Sequence, residues 1–334
     1  MVTDPNNPVL QIEDLSVAYV TNDGFVNAVN DINLTLYPGE IVGLVGESGS
    51  GKSTMANAIM RLLKGDAIVT KGRVKILGRD VYEMSEKQLR QFRWSKMSMV
   101  FQSAMSALNP VMTVETQILD TLTSHDKSMT KARALERAKE LMNLVRIDTK
   151  HLKSYPHELS GGMRQRVVIA IAIALNPSFV IMDEPTTALD VVVQRSILNE
   201  IRRIQEKVGF AILFVSHDFS LVAELASRVA IMYAGRVVEM TPSHTLSLMA
   251  SEKHHPYTIG LLEAIPELTA DEVIITGIPG NPPNLRTLPS GCAFHPRCPF
   301  AEEICTKERP VAVTVGPSDI ECHLYSGKGM KQHV

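Results

Sequence analysis

A glycine-rich segment between an apolar run and a helical pattern constrains the fold of this chain more than any other feature. In EIVGLVGESGSGKSTMANAIMRLL (Glu40–Leu63), IVGLVG has the pattern of a buried parallel strand, and MANAIMRLL has helical spacing. The intervening GESGSGKST fits G-x-x-x-x-G-K-[ST], in the strand–loop–helix order that this motif requires. The alternative, a chance glycine turn, does not explain this order. The segment therefore predicts a phosphate-binding loop in an α/β fold.

The residues of this loop have the chemistry needed to hold a nucleotide. Glycines permit the tight turns that direct successive N–H groups toward an anion, and the start of the following helix adds favourable partial charge. Lys52 is expected to reach the β- and γ-phosphates, and the Ser53 hydroxyl is expected to bind Mg²⁺. The predicted nucleotide-binding set in the loop comprises Gly46, Glu47, Ser48, Gly49, Ser50, Gly51, Lys52, Ser53 and Thr54.

Two further apolar runs end in residues suited to phosphate chemistry. SFVIMDEPTTALD (Ser178–Asp190) predicts a strand ending in Asp183, a candidate Mg²⁺ ligand, followed by Glu184, a carboxylate able to polarise an attacking water. FAILFVSHD (Phe210–Asp218) predicts a third strand, ending in His217. An acidic loop and a structural histidine are the plainer alternatives. However, ligands of parallel sheets bind at the carboxyl edge, where these residues would lie.

Composition limits where such a chain can act. Its 334 residues are 45% hydrophobic and carry a formal net charge of −2, so it can build a core and has no global basic excess for nucleic acid. We expect no nucleic-acid partner. The longest apolar run, Val167–Leu175, is too short to span a bilayer, and the polar N-terminus does not resemble a signal peptide. We therefore expect a cytosolic chain whose cysteines stay reduced.

The segment LSGGMRQR (Leu159–Arg166) resembles the signature motif of ABC-transporter ATPases. With the motifs above, the resemblance covers about residues 8–250 and implies an active ATPase that binds ATP and Mg²⁺. It implies that Tyr19 stacks on adenine. It also implies that Gln102, a catalytic and metal-shell residue, contacts Mg²⁺ and water. The remaining implied roles are Asp183 as the Walker B aspartate, Glu184 as the catalytic glutamate and His217 as the switch histidine.

The start of the signature is itself a predicted anion site, because small residues precede an amphipathic helix. Alone, LSGG would be explained by an ordinary serine-capped helix. In the resembled family, two ATPases pair head to tail, and the signature of one contacts the γ-phosphate held by the other. The nucleotide-binding residues assigned to this half-site are Ser160, Gly161, Gly162, Gln165 and Asp190, the last in a D-loop formed with Ala188 and Leu189.

The resemblance also implies partners. A chain with one phosphate loop and one signature needs a second ATPase subunit, for which we expect a heterodimer. Two transmembrane permease subunits and an extracytoplasmic solute-binding protein would complete an importer, with this chain peripheral on the cytoplasmic face of the membrane. The competing class is a soluble ABC ATPase acting on ribosomes or DNA. The interval between Lys52 and Ser160 leaves no room for the long insertions of DNA-acting forms.

The expected fold is a P-loop (RecA-like) α/β core with an antiparallel β subdomain and a helical insert at about residues 88–165. Residues 1–251 would form this ATPase domain, and residues 252–334 an irregular, proline-rich extension on the surface, outside the catalytic machinery. The stretch Met105–Val114 resembles the segment that receives a coupling helix from the membrane subunit, although a plain surface loop is an equally good explanation.

The extension closely resembles that of oligopeptide and dipeptide importer ATPases. The resemblance rests on HHPYTIGLLEAIP and GCAFHPRCPFAEEICTKERP, and implies peptide uptake. Nickel, glutathione or oligosaccharide import by the same machinery is the alternative. All four cysteines lie in this extension, at Cys292, Cys298, Cys305 and Cys322, without the C-x₂₋₄-C spacing of zinc knuckles. A [4Fe–4S] cluster is expected, as in some members of this subfamily. Zinc, free thiols, and His295 or His323 as substitute ligands remain open.

Overall fold

Two β-sheets organise the chain in the computed structural model, which describes residues 7–102, 107–187, 189–246, 253–265 and 277–326. The strands are β1 (Leu10–Thr21), β2 (Gly24–Leu36), β3 (Ile41–Val45), β4 (Ala67–Ile76), β5 (Arg79–Asp80), β6 (Met97–Val100), β7 (Phe179–Asp183), β8 (Ala211–Val215), β9 (Arg228–Tyr233), β10 (Arg236–Pro242), β11 (Ala312–Val315) and β12 (Ser318–Glu321). The α-helices are α1 (Lys52–Ile59), α2 (Glu86–Phe92), α3 (Val114–His125), α4 (Lys131–Leu144), α5 (Gly161–Ala172), α6 (Val191–Val208), α7 (Phe219–Leu225), α8 (Pro256–Glu263) and α9 (Glu303–Lys307).

The smaller sheet is antiparallel, with the strand order β2-β1-β4-β5. Strand β1 is central, pairing with β2 on one side and β4 on the other. Its buried residues Leu10, Ile12 and Val17 pack into the same core as Met55 and Ile59 of α1. The helix after the phosphate loop thus packs between the two sheets. The predicted antiparallel subdomain is confirmed.

The larger sheet has the order β11-β12-β10-β9-β3-β8-β7-β6. Strands β9, β3, β8, β7 and β6 run parallel, and every residue of β3, β7 and β8 is buried. Such continuous apolar runs are typical of parallel strands covered on both faces. Because β3, β7 and β8 are parallel, the phosphate loop, Asp183 and His217 all follow the same edge of the sheet. His217 lies two residues beyond β8 rather than at its last position.

The helical insert occupies less of the chain than the range of about 88–165 suggests. Strand β6, at Met97–Val100, pairs in parallel with β7 and therefore belongs to the core sheet. Four consecutive buried residues in this short run form a sheet edge. The insert proper contains α3 and α4, whose apolar sides contact each other and α5; Leu122, Ala138 and Leu141 are buried there.

The extension is built into the core rather than laid on its surface. Strands β11 and β12 form a hairpin, and β12 pairs with β10, so the extension completes the main sheet. Tyr257, Leu262 and Phe294 belong to the main hydrophobic cluster, where the rings of Tyr257 and Phe294 both contact Tyr233. The proline pattern indicated irregular backbone, but it could not show that these apolar side chains fill the core.

A buried carboxylate fastens the start of this extension to the core. Glu239 on β10 is 1% exposed and accepts hydrogen bonds from the backbone N–H of His255 at 2.7 Å and the hydroxyl of Thr258 at 2.6 Å. The imidazole Nδ1 of His254 lies 2.6 Å from its other oxygen. Every partner lies in the HHPYT segment, so one acidic side chain orients helix α8.

We predict that Glu239→Gln weakens this attachment, because the amide group of glutamine would turn a donor toward groups that now donate to oxygen. The free energy of unfolding should fall by about 2 kcal/mol. Residues 253–265 should also become more sensitive to limited proteolysis. Chemical denaturation followed by fluorescence measures the first effect. Glu263→Gln, at the exposed end of the same helix, is the control; equal behaviour of the two variants would contradict the proposed anchor.

Candidate functional site

The phosphate loop adopts backbone conformations that only glycine tolerates well. Gly46, Gly49 and Gly51 have φ values of 155°, 80° and 103°. A Cβ atom at Gly46 would lie 2.1 Å from the carbonyl oxygen of Met232, and one at Gly51 would lie 2.2 Å from that of Ala28. Gly51 is also the residue before helix α1, so the loop leads directly into a helix N-terminus. The strand–loop–helix geometry supports a cradle for an anion.

Lys52 lies inside this loop with its ammonium group directed back to the backbone. The residue is 6% exposed, and Nζ donates to the carbonyl oxygens of Gly46 at 2.7 Å and Glu47 at 2.9 Å. Burial lowers the pKa of Lys52, although the negative charges of Glu184, Asp183 and Glu47 oppose that effect. Nucleotide phosphates would add further negative charge and favour the ammonium form.

Ser53 and Asp183 provide adjacent oxygen ligands at the end of β7. The Ser53 hydroxyl donates to Asp183 Oδ1 at 3.3 Å, and Asp183 is only 4% exposed. Burial raises the pKa of Asp183, against the lowering effect of the Ser53 hydrogen bond. A hydroxyl and a carboxylate are hard oxygen donors, which suit Mg²⁺. This pair therefore fits the predicted role in a metal shell.

Glu184 is the centre of a second polar cluster beside this pair. Gln102 Nε2 donates to Glu184 Oε2 at 2.8 Å, the Thr187 hydroxyl donates to the same oxygen at 3.1 Å, and His217 Nδ1 lies 3.1 Å from Oε1. Burial opposes ionisation of Glu184, but the hydrogen bonds from His217 and Thr187 outweigh it and lower its pKa. Glu184 also has φ = 47°, a strained conformation often found at functional sites.

Lys52, Ser53, Gln102 and Glu184 line one cleft of about 380 Å³, whereas Asp183 and His217 are not part of its lining. Tyr19 forms one wall, is 37% exposed, and shares a 3.0 Å hydrogen bond between its hydroxyl and that of Thr54. Its exposed ring is available to stack on a base. Leu285 of the extension lines the same cleft. The cleft thus brings together Tyr19, the phosphate loop, Gln102 and Glu184, as the sequence predicted, and adds a residue that it did not predict.

The signature residues line a different cavity of about 560 Å³, which shares no lining residue with the first. Ser160 Oγ accepts the Met163 N–H at 3.3 Å and begins α5, and Asp190 Oδ1 accepts the Val193 N–H at 2.9 Å and begins α6. The lining includes Ser160, Gly161, Gly162, Leu189 and Asp190. Ala188 lies outside the described residues.

Gln165 differs from the other residues predicted for the signature half-site. It is 2% exposed and is absent from the lining of that cavity. It shares a helix face with the buried residues Val168 and Ile169, at spacings of three and four, and this turns it inward. Its Nε2 atom has no hydrogen-bond partner among the described residues. In this structure Gln165 is therefore a buried helix residue without access to a nucleotide.

The segment predicted to receive a coupling helix is described only in part, because residues 103–106 lie outside the described residues. In the remainder, Gln117 on α3 accepts from the Asn109 N–H at 2.9 Å and donates to the Met112 carbonyl at 3.0 Å. Val111, between Asn109 and Met112, is 79% exposed. An apolar side chain is therefore presented on a loop held by hydrogen bonds.

All four cysteines face one cavity in the extension. Burial raises the pKa of Cys298 to about 11 and that of Cys322 to about 12, and it also raises the pKa of Cys292. The histidines named as substitute ligands also line this cavity. In the part of the chain that the structure describes, which includes all four cysteines, no group of three or more His, Cys, Asp or Glu side chains is placed to hold a metal ion.

Three contacts between the extension and the nucleotide site were not predicted from sequence. Besides Leu285, the Tyr257 hydroxyl accepts the Glu47 N–H at 2.9 Å, and Arg297 forms an ion pair with the Glu47 carboxylate. The expectation that the extension lies outside the catalytic machinery is therefore wrong. The HPYT motif marked Tyr257 as characteristic, but no spacing rule connects residues more than 200 positions apart. Only their packing against one side of the loop reveals this contact.

The fold and the two half-sites define an ABC-type ATPase cassette. Residues 29–187 match the family model described as ABC transporter, and residues 238–305 match the model described as oligopeptide/dipeptide transporter, C-terminal region. Among solved structures, the dimeric cassette MJ0796 bound to ADP and Pi has a TM-score of 0.62 and 28% identity, covering 70% of this chain and 98% of that one. CbiO1 of Clostridium perfringens has a TM-score of 0.63 and 26% identity, covering 72% and 91%.

The relatives identify the branch of this class. The oligopeptide transport ATP-binding protein OppD of Salmonella typhimurium is 44% identical over 92% of this chain and 91% of its own length. The dipeptide transport ATP-binding protein DppD of Caldanaerobacter subterraneus is 39% identical over 97% and 99%. The chain belongs to the family of ATP-binding subunits of oligopeptide and dipeptide ABC transporters. Within the described residues, no helix is both long and apolar enough to cross a membrane.

We predict that two glycines of the phosphate loop differ in their tolerance of alanine. Gly49→Ala adds only the strain of a left-handed residue, about 1 kcal/mol, because nothing lies within 4 Å of its Cβ position. Gly51→Ala adds the same strain and a collision with the backbone at Ala28, so its cost should exceed about 3 kcal/mol. Thermal unfolding without nucleotide measures both. Equal losses of stability in the two variants would show that the close approach of β2 to the loop does not constrain the residue at Gly51.

Proposed function

We propose that this chain is the ATP-hydrolysing subunit that powers uptake of oligopeptides or dipeptides, bound to the cytoplasmic face of the membrane through two permease subunits. The main support is that the strands beside the nucleotide cleft and the strands of the extension belong to one sheet, and that this extension matches the oligopeptide/dipeptide type. The relatives named for oligopeptide and dipeptide transport support the same cargo. An extracytoplasmic binding protein would deliver the peptide.

Different residues of the cleft would bind different parts of ATP and its metal ion. Loop N–H groups and Lys52 bind the phosphates of ATP, and Tyr19 stacks on adenine. Ser53, Asp183 and Gln102 would hold Mg²⁺, which neutralises charge on the phosphates when bound. Gln102 also donates to Glu184 at 2.8 Å, so its amide lies beside the carboxylate assigned to hydrolysis.

Hydrolysis is assigned to Glu184. Its lowered pKa keeps it ionised near neutral pH, so one carboxylate oxygen can accept a proton from the attacking water as the water approaches the γ-phosphate. His217 contacts the other oxygen and is 60% exposed at its side chain. It can therefore hold Glu184 in place and reach the γ-phosphate as charge develops. Neither role requires a large movement of the strands.

Two half-sites on one chain require a partner chain. The signature cavity and the phosphate cleft share no lining residue, so a single subunit cannot close both around one ATP. Beside the signature cavity, Val191 and Val192 are 70% and 79% exposed, as expected for apolar residues that another subunit covers. We propose that the partner is a different ATPase chain, which would contribute the signature facing this phosphate loop.

We predict that Glu184→Gln abolishes hydrolysis, lowering the rate at least 100-fold, while ATP still binds. The assay uses the chain co-expressed with its permeases in membrane vesicles, with a peptide-loaded binding protein added to stimulate hydrolysis. Glu206→Gln, an exposed change on α6, should behave like the parent. Hydrolysis by Glu184→Gln at the parent rate would refute the assignment of the base.

The same preparation separates the cargo and assembly alternatives. Stimulation by nickel-, glutathione- or oligosaccharide-loaded binding proteins, but not by peptide-loaded ones, would replace the peptide proposal. A chain that never co-purifies with membrane proteins would favour the soluble class. If purified Glu184→Gln alone formed stable dimers with ATP, the heterodimer proposal would fail, because the chain could then supply both half-sites itself.

We also propose that the four cysteines hold a [4Fe–4S] cluster. The support is the donor set: four thiols line one cavity, which Glu302, His255, His295 and His323 also line. The cysteine spacing lacks the C-x₂₋₄-C pairs of zinc knuckles, which favours a cluster over zinc. A four-iron cluster binds each thiolate at a separate iron, and cluster loops tolerate varied gaps. Its role would be to cross-link the segment that contains the four cysteines.

We predict broad absorbance near ~400 nm and about four iron and four sulfide per chain after anaerobic purification. Cys298→Ser should lower the iron content because it removes one ligand. His295→Asn should leave the iron content unchanged, because thiols complete the set. A colourless, metal-free parent with four titratable thiols would refute the cluster without affecting the proposed ATPase. Loss of iron in His295→Asn would instead make this histidine a ligand.

A further inference from the structure

All three polar groups of Glu47 form hydrogen bonds: its backbone carbonyl, its backbone N–H and its carboxylate. Its carbonyl oxygen accepts from Lys52 Nζ at 2.9 Å, and its N–H donates to the Tyr257 hydroxyl at 2.9 Å. Its carboxylate receives two hydrogen bonds from Arg297, at 2.7 Å and 3.0 Å. The first contact is internal to the phosphate loop, and the other two come from the extension. A residue at the start of the loop is therefore fixed from outside the ATPase core.

Arg297 is itself rigidly placed. Its side chain is 5% exposed, and Nε donates to the Pro279 carbonyl at 2.8 Å. The guanidinium lies 5.9 Å from the ring centre of Tyr233 and 6.0 Å from that of Phe294. A planar, bidentate cation between aromatic rings and a backbone carbonyl has few other positions. The Glu47 contact raises the pKa of Arg297 further, so the charge is permanent.

We propose that Arg297 and Tyr257 are positioning residues of the phosphate-binding loop, through which the extension sets the affinity of the site for ATP. Glu47 lies between Gly46 and Gly49, both at positive φ, so the loop has flexible joints on either side of it. A loop that must be ordered on binding loses affinity, and one that is already ordered does not. The two contacts hold Glu47 through its backbone N–H and its carboxylate.

A second ion pair allows an experiment to distinguish positioning of the phosphate loop from simple attachment of the extension to the core. Arg236 on β10 makes bidentate contacts with Glu321 on β12, at 2.9 Å and 2.7 Å, and both side chains are 15% exposed. This pair also joins the core to the extension, but neither residue contacts the phosphate loop. It offers a matched change of the same chemistry. If attachment alone mattered, the loss of either pair would have the same effect on nucleotide binding.

The experiment measures binding of a fluorescent, non-hydrolysable ATP analogue with Mg²⁺ to the purified full-length chain. Arg297→Met should weaken binding about tenfold, and Arg297→Lys should recover part of the loss. Arg236→Met should bind within twofold of the parent. Tyr257→Phe keeps the ring packing and removes the acceptor of the Glu47 N–H, so it should weaken binding several-fold even if Arg297→Met folds poorly.

A double-mutant cycle tests whether Arg297 acts through Glu47. Glu47→Ala and Glu47→Ala/Arg297→Met should bind with similar affinity, because either change breaks the same contact. In the assembled transporter, KM for ATP should rise while kcat stays within twofold. Additive losses in the cycle, equal losses in Arg236→Met and Arg297→Met, or unchanged binding in both Arg297→Met and Tyr257→Phe would overturn the proposal. These outcomes leave the ATPase assignment intact, since Glu184→Gln tests that separately.

Discussion

The register of three buried parallel strands determines where the chemistry of this protein lies. Leu44 on β3 pairs with Val215 on β8, and Val215 pairs with Asp183 on β7, so the three strands end in one row. The phosphate loop, Asp183 and the loop carrying His217 therefore lie side by side. A shift of register would separate Lys52 from Asp183, and it would also expose apolar residues that are now buried on both faces of the sheet.

Electrostatics in this row prepares the site for its ligand. Burial lowers the pKa of Lys52 and raises that of Asp183, so each charge is costly until phosphate and metal arrive. Glu184 differs, because His217 and Thr187 hold it in the ionised form. Neighbouring carboxylates thus have separate tasks. Asp183 is suited to bind a cation from a buried position, and Glu184 is suited to accept a proton from water.

The extension is an integral part of the cassette. It adds two strands to the main sheet, places aromatic side chains in the core and reaches the start of the phosphate loop. The turn His295–Arg297 lies between Cys292 and Cys298, so the segment that would be cross-linked by a cluster also carries the arginine that contacts Glu47. Two of its cysteines therefore lie within a few residues of the arginine that contacts the phosphate loop.

The sequence by itself determined the α/β class, the phosphate loop, the strand that ends at Asp183 and the helix that begins after Ser160, because these depend on local patterns and fixed spacings. It misjudged Met97–Val100, whose four buried residues are too short a run to identify as a sheet edge, and Gln165, which the helix turns inward. Only the tertiary structure decided that the extension joins the core and that Arg297 and Tyr257 hold Glu47. Such contacts arise from packing between distant segments, and nothing in a local pattern encodes them.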